Sequence, residues 1–346
     1  MAPRFCLLPL KMKYSVVIPT YNRSSELERT LSSLSRMAPR SEWEVIVVDN
    51  NSRDATRDVT EAAAVGFPAR LTYLFEPVQG RCAALNAGIR ASRGEIVITT
   101  DDDVRVPRDW LDQAADGLET IGCDYAGGKV LPLWQGTPPV WMPDGAKRLW
   151  AVVALLDYGT APVELTNRTP LGVNMAFRRH CFDRAGFWDN SLGRKAGTLL
   201  GQEVREWGLR ARAAGLRGFY IPDMVVHHLI SADRLTKAYF RRWFYWHGVS
   251  RAILYAETGA DMESPEESAL DFSRVRHIAG VPRYLYRTCG HSFVEMLNAY
   301  RKRDAAAAFE RELWLWFFAG IVRQRMRDRG RAQQERTQQK RGMEHG

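Results

Sequence analysis

Four short apolar runs, three of them rich in β-branched residues, punctuate the first hundred positions, and each stops in a polar cluster. They are YSVVIPTYNR (14–23), WEVIVVDNNS (43–52), ARLTYLFEP (69–77) and GEIVITT (94–100). Runs of this length, bounded by proline or polar residues, read as buried strands. The segments between them have helical periodicity. Leu27, Leu31 and Leu34 share one face behind a Ser25/Glu28 capping-box pattern. DATRDVTEAAA (54–64) and RCAALNAGIRAS (81–92) follow, and DWLDQAADGLE (109–119) is set off by Pro107. Strand and helix alternating in this way predict an α/β fold with a mostly parallel central sheet flanked by helices.

After residue 125 the alternation weakens. The proline- and tryptophan-rich stretch 131–150 reads as an irregular loop, LLGQEVREWGLRARAAG (199–215) as an amphipathic helix, and GFYIPDMVVHHLI (218–230) as a further strand. From 236 the texture is helical, with Phe309, Leu313, Trp316, Phe317 and Ile321 placed on one face. The glutamine- and arginine-rich end reads as lacking structure. The expected organisation is a catalytic-type domain over 12–235, a helical C-terminal extension over 236–328 and a polar basic tail over 329–346.

In open α/β sheets, ligands bind beyond the carboxyl ends of the strands. The clusters Thr20–Arg23, Asp49–Asp54, Glu76–Arg81 and Asp101–Asp103 therefore gather at one edge. Three consecutive aspartates repel one another unless something stabilises them. A divalent cation with hard oxygen ligands is one solution, the helix N-terminus near VPRDW a second, and solvation a third. Alternate residues of an extended segment face the same way. Asp101 and Asp103 then share a side, and Asp102 faces the other. A phosphatase-type aspartate nucleophile is excluded, because Arg105 stands where that pattern needs threonine or valine. Glu203 opens an amphipathic helix, where the dipole favours negative charge. His227 and His228 face opposite sides of their strand, so one of them at most joins a given site.

Lysine and arginine exceed aspartate and glutamate by 49 to 40, a formal charge of +9. That suits an anionic partner, whether a nucleotide, a phospholipid surface or a nucleic acid. The basic residues concentrate in the tail rather than in a recognition motif, which argues against nucleic acid. Five scattered cysteines without a C-x-x-C point to a reducing compartment and away from a zinc knuckle. No apolar run approaches the roughly 20 residues of a membrane span, and the start is short of a signal-peptide core. The expected location is the cytoplasm. The aromatic, arginine-rich C-terminal helices have two readings: packing on the core, or peripheral attachment to an anionic membrane face.

Taken in order, VVIPTYNR, VVDNNSRD, QGRCAALNAGIRASRGEIVITTDDD, NMAFRR and GQEVREWGLRARAAG resemble family 2 glycosyltransferases over roughly residues 14–230. The resemblance implies the GT-A fold. It also implies inverting transfer of a sugar from a nucleotide diphosphate, most simply a UDP-sugar, to a saccharide or lipid-linked acceptor in cell-surface glycan synthesis. Pro19, Thr20, Asn22 and Arg23 match the first loop of the nucleotide pocket. Asp49 matches the acid that holds the base, and Arg81 and Asn86 match the segment beside ribose and phosphates. Asp101 and Asp102 fall on the donor side. Asp103, Asp101 and His228 match the ligands of Mn²⁺ or Mg²⁺. Glu203 matches the general base, although the family's paired acid is here Gln202-Glu203-Val204. The competing classes are a nucleotidyltransferase, which should show a glycine-rich phosphate loop where PTYNRSSE stands, and a non-catalytic nucleotide-sugar-binding or membrane scaffold protein.

Overall fold

The computed structural model describes residues 12–142, 147–166, 168–259 and 275–344. The chain divides into two compact units. The first comprises the described residues up to Gln135, together with Val153–Ala196 and Glu203–Ile230. The second comprises Gly136–Val152, Gly197–Gln202 and the chain from Ser231 onward.

In the first unit, β1 (Tyr14–Thr20), α1 (Ser24–Leu34), β2 (Trp43–Asp49), α2 (Thr56–Ala64), β3 (Arg70–Phe75), α3 (Arg81–Ala91) and β4 (Ile96–Thr100) follow one another in the predicted order. Next come β5 (Val104–Arg105), α4 (Trp110–Ile121) and β6 (Tyr125–Trp134). The unit is completed by β7 (Val163–Glu164), β8 (Asn174–Arg178), α6 (His180–Ala185), α7 (Glu203–Ala213) and β9 (Gly218–Ile230); the short α5 (Lys147–Trp150) belongs to the second unit. The nine-stranded sheet has the order β3-β2-β1-β4-β8-β6-β9-β5, with β7 against β9. β1 to β4 are mutually parallel, and β6 and β9 run in the same direction. β5, β7 and β8 pair antiparallel.

Register aligns the strand ends. Thr20 lies opposite Asp49, and Asp49 opposite Phe75. The polar residues that follow each strand therefore emerge together at one edge. Every residue of β1, β2 and β4 is buried, as expected for strands covered on both faces. Helix α3 lies so close to the sheet that a Cβ on Gly88 would run into the Val17 and Val48 side chains.

Three local expectations need correction. The Ser25/Glu28 capping box does not form. Helix α1 begins at Ser24, whose amide donates to Asp54 Oδ2 at 2.8 Å, so a carboxylate from the next loop closes the helix start. Residues 131–134 extend β6 rather than belonging to a loop. Leu131 and Leu133 pair with His227 and Leu229 of β9, and Pro132 is tolerated because on the other side β8 pairs only with Tyr125–Gly127 and Leu156 only with Val130. The remainder of the 131–150 stretch includes α5, and residues 143–146 lie outside the described residues.

The second unit is helical: α8 (Lys237–Thr258), the small hairpin β10 (His277–Ile278) and β11 (Val281–Pro282), α9 (Arg283–Arg301) and α10 (Ala305–Glu344). Helices α8 and α10 meet through two glycines. A Cβ on Gly248 would overlap the Phe317 carbonyl, and one on Gly320 would overlap the Tyr245 carbonyl. Arg241 forks onto Glu312 at 2.6 and 3.1 Å. Phe309, Leu313, Phe317 and Ile321 form the buried face of α10, but Trp316 is 41% exposed and donates to Glu312 instead. The C-terminal tail is helical through Glu344. Glutamine, arginine, glutamate and lysine are all strong helix formers without an intervening proline, so composition that fails to specify a core still carries a helix onward.

Candidate active site

The loops beyond the strands are tied to one another before they meet any ligand. Asn22 adopts left-handed φ (52°); its amide donates to Ser52 Oγ at 2.9 Å and its Oδ1 accepts from Arg53 at 2.7 Å. Asn50 clamps the next pair. Its Nδ2 donates to the Glu76 and Val78 carbonyls, and its Oδ1 accepts the Gly80 amide at 2.8 Å. Asp49 is buried, accepting from the Ser52 amide at 2.8 Å and the Tyr73 hydroxyl at 2.7 Å. Burial, with the Asp49 contact adding to it, pushes the Tyr73 phenol up to about 12.

The three aspartates are held by side chains rather than by the α4 N-terminus. Asp102 is buried; its Oδ2 accepts from Thr20 at 2.8 Å and its Oδ1 lies 3.0 Å from Arg23 Nη1. The other arm of Arg23 donates to Asp103 Oδ2 at 2.8 Å. Thr30, on the buried face of α1, donates to the Asp102 carbonyl at 2.6 Å and accepts the Val104 amide at 3.1 Å, which fixes the backbone between them. Burial pushes the Asp102 carboxyl up to about 7. Arg23 and Thr20 act against that rise, and the neighbouring Asp103 and Asp101 add to it. Burial works against the charge on Arg23, but Asp102 and Asp103 together hold its guanidinium far above its ordinary value.

Arg81, the first residue of α3, joins the second half of the site. Its Nη2 donates to Asp101 Oδ1 at 2.7 Å and to the Gly172 carbonyl at 3.0 Å, while Nη1 lies 3.4 Å from Glu203 Oε1. Glu203 is 9% exposed, at the start of α7. That helix is fixed from behind by Trp207, fully buried in edge contact with Tyr125 and Phe177, both at 5.1 Å. Cys82 lies beside Glu203; burial first, then the Glu203 charge, lifts its thiol far above the usual range, so it serves as a neutral wall.

Asp101, Asp103 and His228 each offer a ligand atom, all within 4.8 Å of one another. His228 Nδ1 is 3.1 Å from the Val153 carbonyl, which can only accept, so Nδ1 carries the proton. In the neutral ring Nε2 then presents its lone pair 3.2 Å from Asp103 Oδ1. A cation could sit between them, as could a proton on Nε2. A ligand imidazole whose other nitrogen donates to a backbone carbonyl is the usual support for a bound metal. Two carboxylates and one imidazole suit Mn²⁺, and also Mg²⁺ with waters. Arg23 and Arg81 link Asp101, Asp102, Asp103 and Glu203, a carboxylate-rich cluster that could take a divalent cation.

The edge thus brings together Thr20, Asn22, Arg23, Asp49, Arg81, the three aspartates, Glu203 and His228, while His227 lies opposite Arg105, outside the triad. Pro19 lies within β1, opposite Val48. Asn86 is spent on structure: its amide donates to the Trp188 carbonyl and its Oδ1 accepts the Trp188 amide, both at 2.9 Å. Sequence reasoning missed Asn50 and Thr30. Asn50 stands directly after a strand in DNN, where an amide can cap crossing loops. Thr30, with Ser33, is a hydroxyl on an otherwise leucine-lined face, which signals a buried hydrogen bond. Asn174, fully buried, accepts from Trp110 Nε1 at 3.1 Å and donates to the Lys129 and Met224 carbonyls.

A mostly parallel sheet with a carboxylate-rich carboxyl edge is the GT-A architecture. It superposes on a mannosyltransferase from Pyrobaculum calidifontis, solved in complex with GDP-Man and Mn²⁺, with a TM-score of 0.61 at 19% identity, covering 91% of this chain and 88% of that one. Residues 15–183 match the family described as Glycosyl transferase family 2. Glycosyltransferase AglE of Haloferax volcanii is 32% identical over 117 residues, 34% of this chain and 38% of its own length. The glucosyl-dolichyl phosphate glucuronosyltransferase of the same organism is 25% identical over 255 residues, 70% of this chain and 77% of its own. The chain thus spans well under half of AglE. Among the described residues, no helix is long and apolar enough to cross a membrane.

Proposed function

We propose that this chain transfers a sugar, with inversion, from a nucleotide diphosphate donor, most simply a UDP-sugar, to a saccharide or lipid-linked acceptor in cell-surface glycan synthesis. The observation that carries the reading is the Asp101–Asp103–His228 triad, joined through Arg81 to the carboxylate of Glu203. The name of the glucuronosyltransferase relative supports a lipid-linked acceptor.

Each residue has a task. Asn22, Arg23 and Asp49 shape the loops around the nucleoside, with Asn50 and Thr30 holding them. Asp101, Asp103 and His228 would hold Mn²⁺ or Mg²⁺, which neutralises the diphosphate as it leaves. Arg81 presents a guanidinium to the donor side and restrains Glu203. Glu203 accepts the proton of the acceptor hydroxyl as that oxygen attacks the sugar's anomeric carbon, and the bond to the diphosphate breaks on the opposite face. A base positioned in this way contributes about 10²–10⁴ in rate.

The test is a panel of nucleotide sugars with and without Mn²⁺, followed by turnover of the Glu203→Gln variant. The expected result is donor binding retained with turnover reduced by about 10²–10⁴. Donor binding without turnover in the unmodified protein would point to the non-catalytic binder, and nucleotidyl rather than sugar transfer would replace the reading.

A further inference from the structure

Helix α9 has two faces. Leu285, Ser292 and Ala299 turn inward and are buried. On the other side Phe293, Val294, Leu297 and Tyr300 are 48, 53, 42 and 53% exposed. Spacings of three, four and seven residues place Phe293, Leu297 and Tyr300 on one stripe of the helix, with Val294 three residues before Leu297 at its flank. Large apolar side chains normally reach the surface singly; four together on one helix face mark a contact surface.

The surroundings say what it contacts. Arg283 and Arg287 are exposed on the turns before the stripe, and Arg301, Lys302 and Arg303 on the residues after it. Along α9 itself the single carboxylate is Glu295, which accepts from Asn298. An apolar stripe with cations at both ends matches an anionic lipid surface: the apolar residues enter the acyl boundary while the guanidiniums meet phosphate. A second protein would need matching carboxylates and an apolar patch of its own; a bilayer presents both features at once.

The aromatic helices α8 and α10, which the sequence suggests for this task, turn much of their apolar surface inward. Phe240, Phe244, Phe309 and Phe317 are buried, and Trp141 is stacked edge-on between Phe240 and Phe309 at 4.9 Å from each. We infer that the outward face of α9 is a peripheral docking surface for membranes rich in anionic phospholipid. The inference rests on this helix alone and stands whether or not sugar transfer does.

The full chain is tested by flotation with phosphatidylglycerol-containing vesicles and with pure phosphatidylcholine vesicles, at low and high salt. Flotation is expected with the anionic vesicles, with loss of at least tenfold in pure phosphatidylcholine or 0.5 M NaCl. The pair Val294→Glu and Leu297→Glu should abolish it. Arg283→Glu with Arg287→Glu, which leaves the apolar stripe intact, should weaken it about tenfold. Thermal melting and far-UV circular dichroism confirm that each variant folds. Equal flotation of folded variants and wild type would overturn the inference. So would a wild-type dimer in analytical ultracentrifugation that the Val294/Leu297 variant abolishes without any vesicle binding.

Discussion

Arg81 joins Asp101 to Glu203: one guanidinium contacts the first at 2.7 Å and the second at 3.4 Å. Two residues 102 positions apart are thereby held in one electrostatic frame, one on the proposed cation side and one at the proposed base. Burial alone would lower the charge on Arg81, yet Asp101 and Glu203 hold its guanidinium well above its ordinary value. On the proposed function, this places Arg81 at the reacting end of the donor as well as beside its phosphates.

Replacing Arg81 should therefore affect turnover more than binding. Arg81→Ala is expected to lower kcat by roughly 10²–10³, the cost of removing one preorganised donor. Arg81→Lys should recover only part, because a point charge cannot span two carboxylates as a planar fork does. Steady-state kcat and KM measured separately check this. A kcat within twofold of wild type in Arg81→Ala would remove the residue from the mechanism.

The closure of α1 by Asp54 predicts a measurable, pH-dependent contribution to stability. Burial raises the Asp54 carboxyl, but the Thr56 hydroxyl and the Ser24 amide outweigh it and hold it below its ordinary value. A depressed folded value means the contribution is present above the unfolded value of about 3.9 and is lost as pH falls through the folded one. Asp54→Ala should cost about 0.5–1 kcal/mol at pH 7. In urea titrations the variant and wild type should converge as pH falls below the unfolded value of about 3.9.

The glycine crossing of α8 and α10 makes the helical unit sensitive at two positions. Gly248→Ala and Gly320→Ala each place a methyl on a backbone carbonyl, and each should cost about 1–3 kcal/mol of stability. Gly290, within α9 and with nothing near its absent Cβ, is the contrast. Gly290→Ala should stabilise by about 0.5–1 kcal/mol through helix propensity. Thermal unfolding of the three variants tests all of this.

Much of this fold is legible in the sequence because local signals agree with one another. Three of the first four strands are β-branched runs closed by polar residues, and all four lie where the apolar pattern puts them. The triple aspartate and Glu203 stood out because carboxylates at a strand end or helix mouth demand a partner. Contacts across the chain were invisible for a physical reason. Asp54 capping α1, Asn50 tying three loops, and Arg81 reaching Glu203 depend on which loops become neighbours, and no periodicity encodes that. Asn86 shows the converse: its position in a matching segment suggested a ligand contact, but its amide is committed to Trp188. The C-terminal helix continues past its expected end, through a stretch rich in strong helix formers.

The central claim is that Asp101, Asp103 and His228 hold one divalent ion under the diphosphate. The direct measurement is Mn²⁺ binding by electron paramagnetic resonance of the free ion, titrated into protein with UDP or GDP present. One equivalent is expected for wild type, with affinity at least tenfold weaker in Asp103→Asn and in His228→Gln, and sugar transfer lost on chelation. Unchanged stoichiometry and affinity in both variants would contradict the claim.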